Sequence, residues 1–151
     1  MKQTPEEVLI QERLKPGAVT LDGFLGNDNR HYHDIIAEDL DKIKELGITK
    51  EEIANRLDYF TDKALMNYDE EATIDGKYRV RYQTERGKLI SPFKDKGLIP
   101  KGVITLLNTE NSQQICWTPL NISMIRNHGF FEGKGAKHRL EPEMLFKALF
   151  E

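Results

Sequence analysis

The apolar period changes between Asn67 and Tyr78, and that change decides what this chain can fold into. Before it, apolar residues recur every three or four positions, the repeat of one helix face. After it they alternate, the repeat of a strand with one buried side. Helical signals return from Thr118 onward. The order helix, strand, helix predicts a single α+β domain over residues 1–151.

The helical part opens at residues 5–14. Pro5 suits the first helical position, and Glu6 and Glu7 suit its positive end. Pro16-Gly17 ends this helix, and residues 18–29 read as irregular. An N-terminal helical hairpin follows. Tyr32, Ile36, Leu40 and Ile43 share one face, with Asp34, Glu38, Asp39, Asp41 and Glu45 mostly on the other. Gly47 can adopt the left-handed conformation that closes the first helix of the pair. Thr49 and Glu52 make the capping box of the second, with Ile48 and Ile53 as its hydrophobic staple. Ile53, Leu57, Phe60 and Ala64 form the apolar face of that helix.

Tyr78, Val80 and Tyr82 alternate with Lys77, Arg79 and Arg81, which predicts a half-buried strand. Asp75-Gly76 and Glu85-Arg86-Gly87 bracket it as turns. Val103 to Leu107, apolar on both faces, predicts a central strand. Asn108 to Ser112 reads as a turn and Gln114 to Trp117 as a further strand. The sum is an antiparallel sheet of three to five strands, with Ala72–Gly76 as the seam between it and the hairpin. Two C-terminal helices complete the pattern, opened by Thr118-Pro119 and Glu141-Pro142.

Composition bounds the function classes. At 151 residues and 17.5 kDa the chain can bury a core without disulfides or metals. Its single cysteine excludes an internal disulfide and any multi-cysteine zinc site. No apolar run is long enough to span a bilayer, and residues 1–7 offer no signal-peptide core, so a soluble cytoplasmic protein without a membrane partner is expected. A net charge of −3 argues against a protein that coats nucleic acid. That total hides an asymmetry. Residues 1–75 carry nine basic against eighteen acidic side chains, and residues 76–151 carry thirteen against seven. Either two oppositely charged layers attract one another, or the basic half meets an anionic partner.

Four constellations bear on chemistry. Leu46-Gly47-Ile48-Thr49 between two helices has the form of a DNA-binding helix pair, but the second helix is net negative, a poor fit to phosphates. His31 and His33, at a helix start, should point about 200° apart and so not share a metal ion. Cys116 in a strand reads as a small hydrophobe rather than a nucleophile. Gly129-Phe130-Phe131-Glu132-Gly133-Lys134-Gly135 lacks the spacing, the hydroxyl and the preceding strand of a phosphate-binding NTPase loop.

A looser anion site remains in that last segment. Arg126, His128, Lys134, Lys137, His138 and Arg139 place six potentially positive groups against Glu132 alone. Arg126, Lys134 and Arg139 should lie outside the core, since an unpaired buried cation is costly. Glycines at 129, 133 and 135 should leave N–H groups free to form a nest for the anion. Phe130 and Phe131 should plug the core.

The run Asn121 to Gly135, with Arg139-Leu140 and Pro142, resembles the C-terminal signature of a family of small, hypothetical bacterial cytosolic proteins. Gly23-Phe24-Leu25-Gly26 is similar to that group's opening. The resemblance implies a bacterial cytosolic setting and carries over no activity, cofactor or catalytic residue.

These observations lead to a non-catalytic binding or regulatory protein. Its six basic loop residues would hold a phosphate, a carboxylate or a nucleic-acid backbone, without metal or cofactor. The alternative is an enzyme acting on a phosphorylated or carboxylated small molecule, with His128 or His138 as acid/base and Arg126, Lys134 and Arg139 as anion clamps. A pocket joining His128 to His33 or Asp34 would favour the enzyme. Self-association is also expected, because a small sheet leaves a face or an edge to be covered.

Overall fold

The computed structural model describes residues 3–151 and has five helices and one four-stranded sheet, an α+β architecture. Helix α1 spans Pro5–Arg13, α2 Tyr32–Glu45 and α3 Lys50–Leu65. Strands β1 (Ala72–Ile74), β2 (Tyr78–Ile90), β3 (Leu98–Asn108) and β4 (Gln113–Trp117) follow, then α4 (Pro119–His128) and α5 (Pro142–Phe150). The sheet is a meander, antiparallel in the order β1-β2-β3-β4.

Local signals set the helix ends. Thr4, Thr49 and Thr118 each cap a helix, with a reciprocal bond from Glu7, Glu52 and Asn121. Gly47, at φ 77°, turns the chain between α2 and α3. Helix α5 lacks a side-chain cap at its start, but its C-terminal carbonyls are served. The buried Asn108 amide donates to Ala148 and Glu151 carbonyls, both at 3.2 Å, and Arg56 donates to that of Leu149.

The hydrophobic core has two parts. The larger lies between the sheet and α3, α4 and α5, and holds Phe60, Val80, Ile104, Trp117 and Phe131. Trp117 is fixed there by donating its indole N–H to Thr61 Oγ1 at 2.9 Å. The smaller gathers Ile10, Leu14, Phe24, Tyr32, Phe93, Met124 and Phe130. Phe130 and Phe131 are both fully buried, one in each part.

The structure departs from the sequence pattern in four places. Glu85-Arg86-Gly87 is not a turn: β2 runs on to Ile90, with a bulge between Thr84 and Lys88 and Gly87 at φ 102°. The strand around Val103–Leu107 is central, but Val103, Thr105 and Leu107 are only half-buried, because the helices cover the other face. Asp39 is not on the solvent face of α2; it is 2% exposed. Ala72–Gly76 is the first strand and its turn, paired to β2 within the larger core.

The extended β2–β3 hairpin folds its tip back onto the helices. Phe93 stacks on the His128 ring, centroids 4.1 Å apart, and Arg13 Nε donates to the Pro92 carbonyl at 2.6 Å.

Candidate functional site

Residues 23–27 and 133–136 meet backbone to backbone. Gly133 N–H donates to the Phe24 carbonyl at 2.8 Å, and Asn27 N–H to that of Lys134 at 2.9 Å. A Cβ on Gly133 would lie 2.1 Å from the Leu25 oxygen, and one on Gly26 would lie 2.2 Å from the Ala136 nitrogen. Only glycine permits this approach. It corrects the expected anion nest. Gly133 N–H is already used, and Lys134 N–H faces the Asp28 carboxylate at 3.4 Å.

The six basic residues of this region are dispersed. Arg126 turns to α3, where it binds Asp58 and donates to Asn55 at 3.1 Å. His128 sits against Asp95 at 2.8 Å, while His33 pairs with Glu7. Lys134 lies 3.5 Å from Glu38, on the exposed side of the loop. Arg139 corrects the expectation that it stays out of the core. Its side chain is only 6% exposed, and it is paired rather than bare. It donates to both Asp39 oxygens, to Glu141 and, at 2.7 Å, to the Glu132 carbonyl. Burial opposes the Arg139 charge, and the two carboxylates outweigh it. Lys137 and His138 of the six line one cavity together.

That cavity, about 220 Å³, lies between the 20–24 loop, the β2–β3 hairpin, the start of α4 and the 132–138 loop. Its titratable lining is Asp22, Glu85, Lys101, Glu132, Lys137 and His138. Lys137 and Asp22 face each other at 3.9 Å across part of it. Burial holds the His138 ring below the usual histidine range, and Lys137 adds to this.

Glu132 is the residue that sequence reasoning counted only as the odd charge of a basic loop. It is 2% exposed, and its backbone sits at φ 71°, a conformation that side chains rarely adopt. Asn121, fully buried on α4, donates its amide N–H to Glu132 Oε2 at 2.7 Å. The amide cannot be turned over, because Asn121 Oδ1 accepts from Thr118 N–H at 2.8 Å. Burial pushes the Glu132 carboxyl up to about 8, against the opposing pull of Asn121 and Arg139. The available signal was its position, since a carboxyl directly after two core phenylalanines is drawn inward with them.

The other constellations resolve differently. His31 is the N-cap of α2, outside the helical repeat, so its ring stacks on that of His33 at 5.0 Å instead of pointing away. His33 pairs with Glu7. No group of three or more His, Cys, Asp or Glu side chains is arranged to hold a metal among the described residues. Burial raises the Cys116 thiol, which disfavours a thiolate. Helix α3 packs against the sheet and α4, as one member of a structural hairpin. No helix among the described residues is long and apolar enough to cross a membrane. Comparison with protein-family models, curated proteins and solved structures finds no match to this chain.

Proposed function

We propose that the protein is a cytoplasmic binding protein for a small molecule bearing a carboxylate or phosphate, held in the cavity beside Glu132 and His138. A bacterial cytosolic setting follows from the resemblance of residues 121–142. One observation carries the proposal: four elements distant in sequence converge on a cavity with a buried carboxyl, a shielded imidazole and two lysines. Concave sites with a few convergent polar groups are where small ligands bind. The volume suits a small metabolite rather than a nucleic acid. A second copy of the chain is proposed as its macromolecular partner.

The test is an amide NMR titration at low salt with phosphate, with acetate, and with short RNA and DNA oligonucleotides. The small anions should shift residues 22–24, 101–103 and 132–138, and the oligonucleotides should not. Shifts at Arg126 and Lys134 with oligonucleotides alone would replace the cavity with a surface for nucleic acid.

The enzyme reading is favoured by one fact: Glu132 and His138 share the cavity, a proton donor and a proton acceptor both kept neutral by burial. Incubation with a metabolite extract separates the two. A compound consumed by the wild type and spared by Glu132→Gln marks catalysis, whereas a compound retained but unchanged marks binding.

A further inference from the structure

We infer that the cavity takes a small carboxylate, bound by a hydrogen bond that the side chain of Glu132 donates to it. This ligand class presupposes the cavity as a ligand site and adds which anion it takes and how protons control it.

The geometry assigns the two Glu132 oxygens different tasks. Oε2 accepts from Asn121, whose orientation Thr118 fixes from the far side. Oε1 has no hydrogen-bond partner among the described residues, and Glu132 lines the cavity. An ionised carboxylate in this place would need a second strong donor. Arg139 is the nearest buried cation, but its guanidinium is spent on Asp39, Glu141 and the Glu132 carbonyl. The carboxyl therefore keeps its proton at neutral pH. With Oε2 already accepting, the proton sits on Oε1 as an O–H donor turned toward the cavity. Oε1 is not a sealed, unpaired atom but is open to the cavity, where water or a ligand can accept from it.

A carboxylate answers best. An O–H···O⁻ bond is short and about twice as strong as a neutral one. Protonated Glu132 adds no negative charge to repel the ligand, and Lys101 and Lys137 lie in the same lining. His138 offers a second donor from its neutral ring. Phosphate is the poorer fit. It carries more negative charge than a carboxylate near neutral pH, and Asp22 and Glu85 in the lining oppose that extra charge. Around Glu132 the charged groups are thus Asp22, Glu85, Lys101, Lys137 and the Arg139–Asp39–Glu141 cluster, and the carboxyl of Glu132 itself is the one that changes charge near pH 8.

The sign follows directly. Binding needs the protonated acid, so affinity is full below the Glu132 pKa and falls above it. One proton is coupled, so the fall approaches about tenfold per pH unit. The experiment is an NMR titration of the full chain with acetate and with phosphate at constant ionic strength, from pH 6.5 to 9.5. Wild type should bind acetate more tightly than phosphate and lose acetate above pH 8. Glu132→Gln should bind acetate with no such loss, because an amide donates at every pH. The Glu132 Cδ resonance of unmutated protein provides a second readout, independent of any variant, and should titrate near 8 rather than near 4.5. Acetate binding that is flat with pH, or a Gln variant with the wild-type slope, overturns the donor role of Glu132. Tighter binding of phosphate at pH 7 overturns the carboxylate class while the ligand site stands. No shift with either anion at any pH overturns both.

Discussion

Arg139 lies a hundred positions from Asp39 in the chain, and the two side chains are among the most buried charges of the fold. Each is tolerable only because of the other, since a lone buried ion costs far more than a paired one. Asp39→Asn should therefore destabilise the protein by roughly 3–5 kcal/mol, measured by urea unfolding at neutral pH. Arg139→Met placed in the same chain should recover much of that loss. A single-variant cost below about 1 kcal/mol would mark the pair as no stronger than a surface ion pair. Neither residue announces this in the sequence. Periodicity puts Asp39 on the polar face of its helix, and a rule against buried cations puts Arg139 outside. Both rules treat a residue alone, and burial here is a property of the pair. Glu132 escapes for the same reason. Its environment is built by Asn121, Thr118 and a backbone contact from residue 24, none of them near it in the chain.

Secondary-structure elements were far more legible, because their signals are local. The turn at Gly47 and the reciprocal Thr49–Glu52 bonds are present as the spacing predicts. Thr49→Ala removes the acceptor for Glu52 N–H and should cost about 1 kcal/mol in a thermal or denaturant melt. An unchanged melting curve would mean that packing of Ile48 and Ile53 alone fixes the helix start. The β2–β3 hairpin marks the limit of local reading. Glu85-Arg86-Gly87 has turn chemistry, yet the strand passes through it as a bulge. The reason lies at the tip, where Phe93 packs against Tyr32, His128 and Phe130 and holds the long hairpin down. A tertiary anchor overrides a weak local preference for reversal.

At the scale of the whole molecule, the charge asymmetry of the sequence is largely an internal matter. Arg126–Asp58, Lys134–Glu38, Lys137–Asp22 and Arg139–Asp39 each join the basic half to the acidic half. The six-residue basic cluster is thereby divided among several acidic partners, which is why charge density along the chain overstated a single anion surface. What stays uncovered is one face of the sheet and its edges. Arg79, Arg81 and Gln83 of β2 are exposed, and β1 and β4 are both edges. Open edges and an uncovered face favour pairing with a second copy. Sedimentation at high micromolar concentration should show a dimer in exchange with monomer; a strict monomer there would remove self-association from the proposed function.

Phe130 and Phe131 are neighbours in the chain, yet each belongs to a different part of the core. During synthesis the N-terminal helices leave the ribosome first, with Ile10, Leu14, Tyr32 and Ile35 still lacking Met124 and Phe130. The sheet follows, equally short of Phe131, Leu145 and Leu149. One peptide bond thus joins the two compartments, but they are completed in turn: the smaller once Phe130 emerges, the larger only with Leu145 and Leu149. The nascent chain has no early half that can close by itself, and its apolar surfaces wait for the C-terminal part of the chain.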